Sequence, residues 1–181
     1  MLRMKTILVG VCLVFAFAIS ATAQTKSLYD RLGGKPAITA VVGDFAGRVL
    51  ADDRIKAKFA KTDAKRLTFE LVEQICMVTG GPCKYTGKSM PDSHKNMKVT
   101  EGEFNALVED LVATLDKFNV PAAEKNELLG ILGPLKGQIV EVKGDATGTP
   151  LPKNFKPAPA LKQADIDKAN AADAKNEKKK P

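Results

Sequence analysis

The sequence predicts an all-α single domain over residues 25–142. Three observations predict it. Apolar side chains recur at helical spacing, the segments are punctuated by capping residues and Gly/Pro stops, and no stretch shows sustained strand alternation. The first long helix carries Ile38, Val41, Val42, Phe45, Val49 and Leu50, spaced i, i+3, i+4, i+7, i+11, i+12. Asp63 is the expected N-cap of the next, whose face is Leu67, Leu71, Ile75 and Val78, and Gly80-Gly81-Pro82 ends it. The segment 80–90 (GGPCKYTGKSM) is long and irregular for a connection inside a helical bundle. Pro91 suits the first turn of a short helix holding His94. Thr100-Glu101-Gly102-Glu103 reads as a capping box, opening a helix lined by Phe104, Leu107, Val108, Leu111, Val112 and Leu115. The last helix starts near Pro121 and runs through Leu128, Leu129, Ile131, Leu132, Leu135, Ile139 and Val140. Gly133-Pro134 should kink or break it.

The two ends differ from this core. Residues 1–23 read as a secretory signal: Arg3 and Lys5, then thirteen uncharged residues from Ile7 to Ile19, then Ala21-Thr22-Ala23 before Gln24. Thirteen residues fall short of the roughly 20 needed to span a bilayer. Val9-Gly10-Val11 is a poor lead for a lipoprotein cysteine at Cys12, so Cys12 is expected to leave with the signal. Export is therefore expected, to the periplasm if the source is Gram-negative. At the other end, residues 143–181 are rich in Lys, Pro and Ala, with few apolar residues. They read as a disordered, solvated tail. A transient helix within 164–174 and a weak contact of the Lys-rich end with an anionic membrane surface are the alternatives weighed for it.

Charge and composition limit the function. The formal charge is +7, but residues 24–144 carry 18 basic and 16 acidic side chains, so no basic face is required of the folded part. With no Trp and 6% aromatic residues, base-stacking platforms are also disfavoured, and no nucleic-acid partner is expected. His94 is the single histidine. A structural zinc site needs about four N/S ligands, more than one His and two mature-chain Cys supply. No C-x-x-C-H haem-attachment motif and no Walker phosphate loop is present. Haem iron held by one neutral imidazole in an apolar helical pocket needs only one histidine.

From about Ser27 to Val140 the chain carries, in order, Leu28–Gly34 (LYDRLGG), Asp44-Phe45, Arg48–Asp52, Phe59, Gly80-Gly81-Pro82, Tyr85-Thr86-Gly87, Met90, His94, Phe104, Leu107-Val108 and Leu128-Leu129-Gly130. In that order and spacing it resembles a group I truncated haemoglobin. The resemblance implies a globin-like, truncated two-over-two helical sandwich. It also implies non-covalent haem b with His94 as proximal iron ligand, and a diatomic gas (oxygen, NO or CO) as reversible ligand. By the same resemblance Phe59 packs on the haem face, and Leu67, Leu71, Met90, Val99, Phe104 and Leu107 line the pocket. Ile75, on the apolar face of Leu67 and Leu71, is counted with them. The distal positions are Ala46, Leu71 and Gln74. Many members of the family place a tyrosine where this chain has Ala46, and a glutamine is frequent where it has Leu71. Neither Tyr29 nor Tyr85 is expected on those faces, and Glu70 is expected off the apolar stripe.

Alternatives to gas binding are a haem enzyme (nitric oxide dioxygenase or peroxidase-like), which would need an external electron donor, and a cofactor-free helical interaction module. Two cysteines remain after signal removal, and the turn at Gly80-Gly81-Pro82 lets the chain double back. A Cys76–Cys83 disulfide is therefore expected.

Overall fold

The computed structural model describes residues 26–179. The signal sequence and its cleavage site lie outside the described residues. The element order is α1 (Leu28–Arg31), α2 (Gly34–Ala51), a 3-10 turn (Lys56–Phe59), α3 (Ala64–Val78), α4 (Met90–His94), α5 (Glu101–Lys117), α6 (Ala122–Leu132), a 3-10 turn (Gly133–Leu135), α7 (Lys136–Ile139) and α8 (Gln163–Glu177). The fold is all-α. Among the described residues the one β-type pairing is a single bridge between Thr100 and Val142. No described helix is long and apolar enough to cross a membrane.

Local chemistry sets most helix ends. The Ser27 hydroxyl accepts from the Asp30 N–H to start α1, and the Asp63 carboxylate accepts from the Arg66 N–H at 2.6 Å to start α3. The capping box at α5 is complete: Thr100 Oγ1 accepts from the Glu103 N–H, and Glu103 Oε2 accepts from the Thr100 N–H, both at 3.0 Å. Gly133-Pro134 breaks the last long segment into α6 and α7, because proline cannot donate to the ladder. Between α1 and α2 the backbone passes through Gly33 (φ 91°) and Gly34 (φ 74°), a left-handed pair that glycine adopts without steric cost.

α2 packs on both α3 and α5. Its buried face (Ile38, Val42, Phe45, Val49) meets Val72, Ile75 and Cys76 of α3 and Leu111 and Leu115 of α5. A second, smaller cluster of Met97, Val99, Phe104 and Ile139 lies where α4 packs on α7. Cys76, at the end of α3, is disulfide-bonded to Cys83 with the Cα atoms 5.7 Å apart. Gly81 inside that loop has no room for a side chain: a Cβ would lie 2.5 Å from the Tyr29 ring and 2.7 Å from Cys76 Sγ.

The chain beyond residue 142 differs from the expected solvated tail. It folds back along the domain and ends in α8, which buries Ile166 and Asp173. Hydrophobic patterning could not foretell this, because polar contacts hold it. Lys35 Nζ lies 2.5 Å from Asp173 and 2.7 Å from buried Glu73, and the Tyr29 hydroxyl donates to Glu177 at 2.9 Å.

Candidate functional site

α2, α3, α4, α5 and the α6–α7 region enclose one large cavity of about 700 Å³, within the range of about 300–1,000 Å³ usual for cofactor sites. Each wall comes from an apolar helix face. α2 contributes Phe45 and Ala46, and α3 contributes Leu67, Leu71, Gln74 and Ile75. Met90 and His94 come from α4, Phe104 and Leu107 from α5, and Phe59 from the 3-10 turn before α3.

The sequence-predicted residues thus meet in one place, with one exception. Val99 is buried in the small cluster with Met97 and Ile139 and does not reach the cavity. It follows α4 by five residues, and the intervening turn rotates it into the core. Two further expectations are corrected. Tyr85 and Glu70 both stand on the cavity wall. The loop 80–89 folds back over α3, where Glu70 pairs with Arg66 at 2.9 Å and the Tyr85 hydroxyl donates to the Lys88 carbonyl at 2.7 Å. Both are committed to local partners, and burial raises the Tyr85 phenol above its ordinary value.

His94 is held by its own short helix. Ser89 caps α4, Pro91 sits in its first turn, and His94 Nδ1 lies 2.9 Å from the Met90 carbonyl oxygen. A carbonyl only accepts, so this bond puts the proton on Nδ1 and leaves the Nε2 lone pair unprotonated. Burial holds the imidazole below its usual pKa, against the opposing pull of the Met90 carbonyl and the Glu141 charge. The chain leaves α4 through Asn96 (φ 66°) and Lys98 (φ 57°), both left-handed. The Glu141 carboxylate stabilises that turn by accepting from the Asn96 N–H at 2.8 Å and from the Lys98 N–H at 2.5 Å.

The three positions expected to be distal carry little polarity. Ala46 and Leu71 have no hydrogen-bonding side chain. Gln74 faces the cavity, and its Nε2 has a weak contact with Met90 Sδ at 3.9 Å. Sequence reasoning missed the cavity contributions of Leu132, Leu135 and Ile139, which periodicity marks only as core, and of Met97, which lies between α4 and α5. It also missed Asn154 to Ala158, which carry no periodic signal.

The bacterial-like globin family model matches residues 27–141. The chain belongs to the bacterial-like globin family. This globin is 37% identical over 109 residues to the group 1 truncated hemoglobin of Tetrahymena pyriformis, a match covering 60% of this chain and 90% of that protein. It is 36% identical over 117 residues to the group 1 truncated hemoglobin GlbN of Mycolicibacterium paratuberculosis, covering 65% and 86%. Among solved structures, truncated hemoglobin from Tetrahymena pyriformis in the Fe(III) form superposes with a TM-score of 0.61 at 35% identity, over 64% of this chain and 98% of that one. The 2/2 hemoglobin of Synechococcus, solved in the cyanomet state with covalently attached heme, gives 0.59 at 32%, over 62% and 95%. The fold is therefore that of a truncated globin, a family that binds haem and gas ligands.

A second cluster of potential metal ligands is already satisfied. Glu73, Asp173 and Cys83 lie together, but Cys83 is in the disulfide and the Lys35 ammonium sits between the two carboxylates.

Proposed function

We propose that the protein is a haem globin that reversibly binds a diatomic gas, oxygen foremost, with His94 as the proximal imidazole. The observation that carries the reading is His94 Nδ1 against the Met90 carbonyl at the wall of the apolar cavity, an arrangement that presents a neutral nitrogen donor. Haem, when bound, supplies the iron that takes up the gas. The chain's own residues do the rest. Met90 and the α4 cap orient the imidazole, and Phe59, Leu67, Leu71, Phe104 and Leu107 exclude water from the faces of the macrocycle.

Non-covalent haem b fits the donor set. Cys76 and Cys83 are bonded to each other, and the single histidine is the imidazole, so residues 26–179 offer no thiol and no second imidazole to a covalent link. Export is part of the same proposal. The disulfide suits an oxidising compartment, which is where a signal at residues 1–23 would send the chain. The test is the absorption spectrum of the purified protein. A Soret band is expected, absent in His94→Ala and restored in His94→Gly by added imidazole. Protein that stays colourless after haem is added overturns the proposal.

A further inference from the structure

The cavity has a wall that lies outside the family-matched residues. Asn154, Phe155, Lys156, Pro157 and Ala158 line it, although the globin match ends at residue 141. Phe155 packs with Met90, Val108 and Leu135 against the cluster of Met97 and Phe104. The segment is pinned along its length. Before it, Lys58 and Glu103, almost wholly buried, lie 3.5 Å apart; Glu103 Oε1 accepts from both the N–H and the hydroxyl of Thr149, and Lys58 donates to the Met97 and Lys98 carbonyls. Within and just after it, Lys61 Nζ donates to the Lys153 and Phe155 carbonyls, and Arg66 donates to the Pro159 carbonyl. Beyond it, α8 is tied to α2 and α3 through Lys35, Glu73 and Asp173.

Burying an ion pair such as Lys58–Glu103 and satisfying it with backbone partners is costly to arrange. Here the arrangement fixes where the extension leaves the domain, so that residues 154–158 reach the cavity wall. Phe155 supplies an apolar surface suited to a flat macrocycle, and Lys156, exposed on the same wall, brings a positive charge suited to a carboxylate-bearing edge.

We propose that the C-terminal extension is part of the cofactor site: residues 150–158 form a strap whose 154–158 stretch crosses the cavity, and whose Phe155 packs on the bound haem and slows its loss. The proposal rests on the haem reading above. Phe155 is only half-buried and lies on the strap, so its replacement leaves the helical core in place.

The test is haem transfer from the full chain to excess apomyoglobin, followed by absorbance. Phe155→Ala should lose haem about tenfold faster than wild type, the loss expected for removing a large apolar contact, while Phe155→Leu restores most of the retention. Both variants should still take up haem and show a Soret band, because His94 is untouched. As a second readout, amide hydrogen exchange in residues 150–158 should slow when haem is added to the apoprotein. Haem loss from Phe155→Ala at the wild-type rate overturns the proposal, as does exchange in the strap that ignores haem. A full-length protein that never takes up haem overturns the haem reading instead.

Discussion

Gly102 and Asp145 approach so closely that no side chain fits between them: a Cβ built on Gly102 would lie 2.2 Å from the Asp145 carbonyl oxygen. Gly102 sits in the first turn of α5, and its N–H also donates to the Gly144 carbonyl at 3.1 Å. The extension therefore leaves the domain across a bare patch of helix backbone. Gly102→Ala should have opposite effects with and without the extension. In the full chain the methyl group forces the backbone at Asp145 and Ala146 to shift, a cost of about 1–3 kcal/mol. In a chain ending at Gly144, alanine is the better helix former and stabilises by up to about 1 kcal/mol. Urea unfolding of the four proteins checks this. Destabilisation of equal size in both backgrounds would show that the contact with Asp145 is not the cause.

The Cys76–Cys83 bridge closes a short loop. The chain-entropy account gives it a stabilising effect of roughly 2.5 kcal/mol at 25 °C. Cys76→Ser combined with Cys83→Ser should lower stability by about that amount in denaturant titration, and exported material should begin at or near Gln24. Two reactive thiols per denatured, unreduced chain would show that the bridge does not form.

Ala46 and Leu71, the positions proposed to face the bound gas, carry no hydrogen-bond donor, and Gln74 on the same wall carries an amide. Oxygen should leave the haem-loaded protein fast, and Ala46→Tyr should slow it by roughly a factor of ten, the worth of one hydrogen bond to a partly charged acceptor. Carbon monoxide, a poorer acceptor, should respond less. Flash photolysis and stopped-flow displacement measure both. Slow wild-type release that Gln74→Ala leaves unchanged would mean that another donor holds the ligand.

Tyr29 is buried in the α1 turn, donates to Glu177 of α8 and accepts from the Lys35 N–H at 3.0 Å. Burial, and then the bond to Glu177, push its phenol from 10.0 to about 12. The folded state thus holds this proton more tightly than the unfolded chain. Its contribution to stability is complete below pH 10 and is lost as pH rises from 10 towards about 12. Tyrosine absorbance near 295 nm should show two ionisations above the ordinary range, of which the one near 12 disappears in Tyr29→Phe while that of Tyr85 stays, and the variant should lose less stability than wild type across that window. A titration whose highest step is unchanged in Tyr29→Phe would rule this out.

Wherever the signal is local, the sequence determined the structure. The capping box at Thr100–Glu103, the Asp63 cap, the break at Gly133-Pro134 and the short helix that begins before Pro91 and ends at His94 each depend on a few neighbouring residues. Their chemistry permits one outcome, and the structure has it. The cavity walls from α2, α3 and α5 were legible for a related reason: one apolar face per amphipathic helix must be buried, and the residues on it are set by a period of 3.6. Tertiary structure alone decided which core residues turn into the cavity. Val99 and Met97 are near neighbours in sequence and belong to one buried cluster, but only Met97 reaches the cavity. It also decided the course of residues 143–179. Sparse apolar positions there gave no period, and the returning chain is held in large part by Lys58, Lys61 and Arg66 donating to the carbonyls of Pro150, Lys153, Phe155 and Pro159. Every residue has a carbonyl, so such bonds leave no mark in a sequence. They exist only once the fold has brought the donors and the returning chain together.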